Sequence, residues 1–312
     1  MRYVRILSKY LRILLGKSAL HVNQGIGKIY SKEGIKGYYN DLTLKVNWHG
    51  ETDKRGLPMN VKMDGEKIYF PTTVIQYGLG NYDLYLLTKQ DIYFEQFWKS
   101  VNWVVNEQDE LGGWDVFERI GSKKFYKYSA MTQGEGASLL IRAFQESGDE
   151  EFVDRAKKAI DLMLLPVEKG GTARYVNDKL FLEEVVESKP VLILNGWIFA
   201  VFGLYDIFKA TSDGRYKEAL QRTLDTLKDE LYKYDTGYWS YYDQCGNLAS
   251  PFYHKLHIAL LEVLYELFNT IEFKTVKEKW ESYLSNKFKR TRAFIVKAYQ
   301  KIKEPGEVVL IK

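Results

Sequence analysis

The sequence predicts a mainly α-helical protein: an α/α toroid, built as an incomplete barrel of helical hairpins, with a short β-like segment at its N-terminus. Two observations carry this prediction. From residue 71 onward, nearly uniformly apolar helical stretches alternate with stretches whose apolar residues recur on one helical face. The apolar stretches begin near residues 73, 132, 192 and 252, a recurrence of about 60 residues that indicates an internal repeat.

The helices are predicted to form pairs in which the first helix is buried and the second lies outside it. A helix that is apolar on all sides is buried, whereas an amphipathic helix covers its neighbour with one face. Two concentric layers follow from this alternation. A right-handed solenoid would share the pattern, but each pair is followed by a long loop, and long loops gathered at one rim favour the toroid.

We predict three regions along the 312 residues. Residues 1–70 hold an amphipathic basic helix, followed by glycine-rich turns and short pieces of strand character such as LTLKVNW and KIYF. Residues 71–290 form the toroid, and residues 291–312 form a basic C-terminal helix or tail. No apolar run near the N-terminus is long enough for a secretory signal or a membrane span. We therefore expect a cytoplasmic protein without a transmembrane segment, with peripheral membrane association and a homodimer left open.

The composition is that of a globular protein, with 46% hydrophobic residues available for a core. A formal net charge of +4 attracts acidic partners only weakly and does not indicate nucleic acid binding. The single cysteine, Cys245, excludes an internal disulfide and a multi-cysteine metal site. The aromatic share of 15% is the unusual feature, because aromatic faces stack on sugar rings as well as filling cores.

Three loops rich in aromatic and polar side chains, 114–132, 171–190 and 238–257, are expected to converge at one rim of the toroid. Phenols, carboxylates, a guanidinium and histidines together suit chemistry on an acidic sugar. Two of these histidines lie three residues apart, but no third metal ligand follows at a telling spacing, so no metal site is predicted. The predicted substrate-binding residues are Trp114, Tyr128, Gln133, Arg174, Tyr175, Asn195, Tyr238, His254 and His257.

One further motif, Gly134-Glu135-Gly136, opens an apolar helix. It lacks the preceding strand and third glycine of a phosphate-binding loop. Close helix packing, or a helix N-terminus that faces a substrate carboxylate, explains it better.

Six ordered stretches between Pro71 and Leu284 resemble the catalytic domain of the D-glucuronyl C5-epimerases. They are PTTVIQYGLGNYDLYL, WVVNEQDELGGW, YSAMTQGEGASLLIRAF, LNGWIFAVFGLYDI, YDTGYWSYYD and YHKLH. These enzymes invert C-5 of glucuronate in heparosan-type polysaccharides to give iduronate. The resemblance implies an α/α toroid, an acidic polysaccharide as substrate and no required cofactor. A divalent cation such as calcium is left open, although the sequence does not indicate one.

The resemblance also implies three catalytic residues. Tyr242 and Tyr253 match two of the catalytic tyrosines of the family, and Glu184 matches its glutamate. The tyrosines would lie on opposite faces of the uronate, one removing the C-5 proton and the other returning one. Glu184 would hydrogen-bond the substrate carboxylate, or share the proton if its surroundings raise its pKa.

Two positions depart from the family pattern. Val185 stands where the family has a third tyrosine, and Cys245 stands where it has an arginine. Arg174 or Lys255 is the expected replacement for the missing cation.

Three other functions remain open at this point. A polysaccharide lyase begins with the same proton abstraction and then expels the 4-linked oxygen. A glycoside hydrolase needs a second carboxylic acid, for which Asp115 and Asp243 are the candidates beside Glu184. A non-catalytic glycan-binding protein would keep the aromatic residues without an acid–base set.

Overall fold

The computed structural model describes residues 22–62, 64–122 and 126–303. The predicted N-terminal helix lies outside these residues. Within them the chain forms nine α-helices: α1 Pro71–Thr88, α2 Asp91–Glu107, α3 Ala130–Ser147, α4 Glu150–Leu164, α5 Leu194–Thr211, α6 Gly214–Glu230, α7 Pro251–Phe268, α8 Ile271–Ser285 and α9 Lys287–Lys303. Each of these helices falls short of the length and apolarity that crossing a membrane would require.

The first eight helices form four hairpins in two layers. The first helices of the pairs, α1, α3, α5 and α7, pack side by side in chain order and are called the inner helices below. The second helices, α2, α4, α6 and α8, each pack on their own partner from outside. In the described residues α7 does not pack on α1 as the other inner helices pack on their neighbours, so the barrel is incomplete. The predicted toroid of helical hairpins is confirmed.

Each hairpin turns through a residue in the left-handed conformation. These residues, Lys89, Gly148, Ser212 and Asn269, have φ angles of 58°, 71°, 55° and 57°. Each donates its amide to the carbonyl oxygen four residues earlier, which ends the inner helix. The chain then reverses directly into the outer helix.

Two glycines let α3 and α5 approach closely. A Cβ added to Gly203 would lie 2.3 Å from the Cα of Gly134, so neither position has room for a side chain. A Cβ on Gly136 would lie 2.4 Å from the Trp114 ring. The interpretation of Gly134 and Gly136 as close-packing residues is confirmed.

The β structure is confined to two small sheets. Strands β1 Glu51–Thr52, β2 Pro58–Val61 and β3 Lys67–Ile68 pair antiparallel in that order. Strands β4 Ala173–Val176 and β5 Lys179–Leu182 form a hairpin in the second long loop. The strand prediction for KIYF is therefore confirmed at β3.

The strand prediction for LTLKVNW is wrong. Residues Thr43–Val46 form a single 3-10 turn. The Asp41 carboxylate accepts a hydrogen bond from the Thr43 amide at 3.0 Å, and the Leu42 carbonyl accepts one from the Lys45 amide at 2.9 Å. These local bonds satisfy the backbone without a partner strand.

The segment before this turn covers the ends of the inner helices. Gly37, Tyr38, Tyr39 and Tyr30 each contact a polar residue near the C-terminal end of a different inner helix. The contacts are Tyr38 with Asp83 on α1, Gly37 with Arg142 on α3, Tyr39 with Asp206 on α5 and Tyr30 with Glu266 on α7. This rim of the barrel is therefore filled by protein, whereas the long loops surround the rim at which the inner helices begin.

Candidate active site

The three long loops meet at the rim where the inner helices start. The Ala130 amide donates to the Glu183 carbonyl oxygen at 3.0 Å, which joins the first loop to the second. The Leu194 amide donates to the Tyr242 carbonyl oxygen at 3.1 Å, which joins the second loop to the third. Side chains from all three loops therefore have fixed positions relative to one another.

Tyr242 and Tyr253 form a contacting pair at this rim. Their ring centroids lie 4.6 Å apart at an interplanar angle of 56°. Tyr242 is in the third loop, where its amide donates to the Asn247 carbonyl oxygen at 2.6 Å. Tyr253 is in the first turn of α7, and its amide donates to the hydroxyl of the capping Ser250 at 3.3 Å.

The two phenols are hydrogen-bonded and differ in acidity. Burial raises the pKa of both, and the Glu184 carboxylate raises both further. The bond between the hydroxyls raises the pKa of Tyr242 and lowers that of Tyr253, as expected if Tyr242 donates and Tyr253 accepts. Tyr253 is therefore the phenol whose anion is better stabilised.

The contact between these rings conflicts with the prediction that they lie on opposite faces of the uronate. A sugar between two rings would separate their centroids by about 7 Å or more, twice a van der Waals contact distance. At 4.6 Å the two rings leave no space for a sugar between them in this structure.

Glu184 belongs to the second loop and packs against the first turn of α5. Its charge acts on both phenols. The Asn195 side-chain amide donates to Oε2 of Glu184 at 3.4 Å. A Cβ added to Gly196 would lie 2.1 Å from the same oxygen, so the carboxyl group rests on bare helix backbone. Burial raises the pKa of Glu184 to about 7. Its carboxyl group can therefore accept or release a proton near neutral pH.

Arg174 is held away from this acid. Its guanidinium pairs with the carboxylate of the buried Glu183 and donates to the Glu187 carbonyl oxygen at 3.0 Å. Lys255 is exposed on α7. A cation beside Glu184 would lower its pKa, and neither residue does so, so the expectation that one of them supplies the missing cation finds no support in these contacts.

Three predicted substrate-binding residues, two in the first loop and Gln133 on α3, hold the loop in place. Trp114 is fully buried and donates from Nε1 to the Val104 carbonyl oxygen at 2.8 Å. Gln133 is also fully buried and bonds the Trp114 amide and two carbonyl oxygens. The Tyr128 hydroxyl donates to Asp109 at 2.5 Å. Substrate contact by these residues stays a prediction.

The two histidines lie in the core behind the third loop. His254 and His257 have no exposed surface, and both ring Nδ1 atoms lie within 3.2 Å of the Ser240 hydroxyl. His254 also stacks on Trp239, with the centroids 3.6 Å apart. Burial lowers the pKa of both imidazoles, which keeps them neutral near pH 7.

The remaining two candidates lie on outer surfaces. The Tyr238 ring is covered by the Arg292 guanidinium of α9, 4.0 Å from its centroid. Tyr175 is 41% exposed, and its hydroxyl donates to the Leu164 carbonyl oxygen at 2.8 Å. Asn195 is thus the predicted substrate-binding residue that the structure brings into contact with Glu184.

Sequence reasoning named Glu135 only within the Gly134-Glu135-Gly136 motif, and it missed two residues, Gln76 and Lys45, that act on Glu135. Gln76 and Glu135 are polar residues near the starts of apolar helices and lie 59 residues apart, close to the period of the repeat. That coincidence was an available signal. No such signal exists in the sequence for Lys45. This residue lies in a 3-10 turn far from Glu135 in the sequence, and only folding brings the two segments together.

The rim therefore combines two phenols, two carboxyl groups and a lysine around the N-terminal ends of four inner helices. Helix N-termini favour negative charge through their free amides and their dipoles. Such a site is suited to an anionic substrate and to proton transfer.

Comparisons with known proteins indicate one family. A family model described as the D-glucuronyl C5-epimerase C-terminus matches residues 108–282, more than half of the chain. A D-glucuronyl C5-epimerase of Caenorhabditis elegans is 29% identical over 216 residues, which make up 61% of this chain and 35% of the relative. An uncharacterized protein of Methanocaldococcus jannaschii is 30% identical over 155 residues, 48% of this chain and 50% of that protein. The chain spans half or less of the length of these two relatives.

Among solved structures, an inactive variant of an α-1,6-mannanase of Salegentibacter sp., in complex with α-1,6-mannotriose, is similar to this chain with a TM-score of 0.47. The two are 12% identical, and the match covers 71% of this chain and 64% of that one.

Proposed function

This chain belongs to the D-glucuronyl C5-epimerase family, and we propose that it converts D-glucuronate residues of a heparosan-like polysaccharide to L-iduronate by inversion at C-5. A proton leaves C-5, and another arrives from the opposite face. No oxidation state changes, so the proposed reaction needs no redox cofactor.

The electrostatic coupling between Glu184 and the tyrosine pair is the observation that supports this proposal best. The Glu184 carboxylate raises the pKa of Tyr242 and of Tyr253. When Glu184 takes up a proton, this repulsion disappears and the phenols become stronger acids. Proton removal by Glu184 therefore prepares the tyrosine pair to return a proton.

The proposed steps follow from this coupling. The Glu184 carboxylate removes the C-5 proton from one face, and the electrons of the C–H bond move into the uronate carboxyl group as an enediolate. Tyr253 then donates its hydroxyl proton to C-5 from the other face. Its phenolate is stabilised by the hydrogen bond from Tyr242. Release of the proton from Glu184 to solvent and uptake of one by Tyr253 restore the starting state.

The departures at Val185 and Cys245 fit a smaller acid–base set. Val185 supplies no third phenol, and the exposed Cys245 has its sulfur 3.8 Å from the Pro190 carbonyl oxygen. We propose that Glu184, Tyr242 and Tyr253 suffice for the proton transfers.

The test is incubation in deuterated water with heparosan, its N-sulfated and N-acetylated forms and other glucuronans, followed by proton NMR. We expect loss of the C-5 proton signal and appearance of iduronate without a change in chain length. Glu184→Gln should abolish the exchange and Tyr253→Phe should abolish formation of iduronate, whereas Tyr265→Phe, a control at the far end of α7, should change neither.

Three outcomes would contradict the proposal. Wild-type formation of iduronate by Tyr253→Phe would remove that residue from the mechanism. An unsaturated product that absorbs in the ultraviolet would indicate a lyase. Binding of a glucuronan without deuterium incorporation on any polymer would indicate a glycan-binding protein.

A further inference from the structure

The candidate site contains a second acid in addition to Glu184. This is Glu135, which lies on the inner helix α3. Its side chain is fully buried, and the Gln76 amide on α1 donates to both carboxyl oxygens, at 3.0 and 3.2 Å. Closer to the rim, the Thr72 and Thr132 hydroxyls of the same two helices hydrogen-bond at 2.8 Å. Glu135 is therefore fixed in position at the start of the barrel.

A lysine approaches this acid from the N-terminal segment. Lys45 belongs to the turn Thr43–Val46, which packs on α1 where Gly80 has no side chain. A Cβ on Gly80 would lie 2.4 Å from the Leu42 carbonyl oxygen. Gly80 lies one helical turn from Gln76 on the same face of α1. The turn that carries Lys45 therefore packs next to the Gln76–Glu135 pair, and the charge of Lys45 acts on Glu135.

Burial and mutual charge determine the ionisation of this pair. Burial lowers the pKa of Lys45 to about 8, although Glu135 raises it. Burial raises the pKa of Glu135 to about 8, the Gln76 bond and Lys45 lower it, and Glu184 raises it. Near pH 7 the favoured state has a charged Lys45 and a protonated Glu135. The group then carries one net positive charge next to Glu184.

The stability of the fold does not explain why a lysine and a glutamate are buried together. Removing a lysine and a glutamate from water costs free energy, and apolar residues of similar size often fill the same space with no loss of stability. A buried ionisable pair beside an acid–base group is more often part of a site for a ligand.

We propose that Lys45, Glu135 and Gln76 form the subsite that binds the carboxylate of the uronate, with Lys45 as its cation. This inference rests on the proposed function, because it places the carboxylate next to the residues that act on C-5. The carboxyl carbon is bonded directly to C-5, so groups that bind it must adjoin the acid–base residues. Glu135 meets this condition. Its neighbour Gly134 packs on Ala200 of α5, one helical turn from the Gly196 backbone on which Glu184 rests. The charge of Glu184 also raises the pKa of Glu135.

The subsite also suits the charge that develops during the reaction. Removal of the C-5 proton places a second negative charge on the carboxyl oxygens. Lys45 attracts that charge, and the protonated Glu135 donates a hydrogen bond to it. Lys45 thereby supplies the cation that the family pattern has at the position of Cys245.

The experiment compares heparosan with carboxyl-reduced heparosan, a neutral polymer of the same chain, as binding probes. Wild-type protein should bind the acidic polymer more tightly. Lys45→Met should reduce that preference about tenfold, the loss expected for one charge-assisted contact, and should reduce kcat/KM for C-5 exchange about 100-fold or more. Lys45→Arg should restore part of both.

One further variant acts as a control, and another tests whether Glu135 is protonated in the subsite. Lys54→Met makes the same change of charge at an exposed lysine of the same segment, and it should leave the preference and the rate unchanged. Glu135→Gln keeps a neutral hydrogen-bond donor at the subsite, and its affinity for heparosan should stay near the wild-type value. Circular dichroism shows whether Lys45→Met is folded. If it is not, the binding results for Lys45→Arg and Glu135→Gln decide whether the subsite exists.

Several results would overturn the inference. These are an unchanged preference for the acidic polymer in Lys45→Met, an equal loss in Lys54→Met, and a loss of affinity in Glu135→Gln. Absence of C-5 exchange in the wild type would refute the proposed epimerase function but not the subsite, because the binding comparison tests Lys45 independently of catalysis. Equal binding of both polymers by the wild type would refute the subsite even if exchange occurs.

Discussion

Gly196 leaves the space that the Glu184 carboxyl group occupies: a Cβ at Gly196 would lie 2.1 Å from Oε2 and 2.5 Å from Cβ of Glu184. The acid therefore rests against the first turn of α5, where the Asn195 amide reaches it. Its position depends on a missing side chain in the neighbouring helix as much as on its own loop. This dependence can be tested without touching any ionisable group.

We expect Gly196→Ala to displace Glu184 and to lower kcat for C-5 exchange by about 100-fold, since a displacement of roughly 1 Å has effects of that size. Alanine favours a helix, so the fold should persist. Gly214→Ala at the start of α6, where a Cβ meets nothing within 4 Å, is the matched control. Full activity in Gly196→Ala with an unchanged melting temperature would show that the position of Glu184 is not critical.

The pH dependence of kcat/KM should be bell-shaped. Glu184 acts as a base in its ionised form, so the rate should rise about tenfold per pH unit up to its pKa of about 7. Lys45 and Glu135 act in their protonated forms, and each has a pKa of about 8, so the rate should fall above that pH. Measurement of C-5 exchange from roughly pH 5 to pH 10 checks both limbs. A flat profile would exclude these assignments.

Asp83, at the filled rim, should make the protein less stable as pH rises. It is 1% exposed, burial raises its pKa to about 7, and the Tyr38 amide donates to it at 2.9 Å. A folded-state pKa above the unfolded value of about 3.9 gives stability that is complete below pH 4 and is lost as pH rises through about 7.

Asp83→Asn keeps the acceptor for the Tyr38 amide and removes the charge. The free energy of unfolding should therefore fall less between pH 5 and pH 8 in the variant than in the wild type, by on the order of 1–3 kcal/mol. Urea unfolding at both values measures the difference. Other buried acids contribute equally to both proteins, so parallel pH profiles would mean that Asp83 is already ionised in the folded state.

The ion pair of Arg142 with Asp206 should matter chiefly when one partner is removed. Both side chains are fully buried, with 2.7 Å between the charged atoms, and the Tyr39 hydroxyl donates to Asp206 at 2.6 Å. Arg142→Met leaves a buried carboxylate without its cation and should cost about 3–5 kcal/mol of unfolding free energy.

The double variant Arg142→Met with Asp206→Asn should recover part of that loss, because the unpaired charge is gone while the acceptor for Tyr39 remains. Urea unfolding of the two single variants and the double variant gives the coupling energy. Strictly additive losses would mean that the two residues stabilise the fold independently.

Several features of the fold followed from local patterns in the sequence. The alternation of apolar and amphipathic stretches and their recurrence predicted the paired helices and their two layers, and the structure confirms both. The six stretches also predicted the family that the comparisons establish. One strand was misassigned, because the alternating residues of LTLKVNW hid a turn that Asp41 stabilises.

The candidate site was predicted less completely. Tyr242, Tyr253 and Glu184 were chosen by their resemblance to family positions, and the structure brings them together. The contact between the two tyrosine rings was not foreseen, nor were Lys45 and Gln76. His254 and His257 looked functional because they share a helix face, but that face points into the core beside Trp239.

The sequence by itself determined the helices and their order, because helical periodicity and turn residues act over a few neighbouring residues. Only the tertiary structure decided which polar residues share the rim, because Lys45, Gln76, Glu135 and Glu184 come from four separate segments. The tertiary structure also decided which of these side chains are ionised. A pKa depends on burial and on charges that are distant in the sequence, and neither exists before the chain folds.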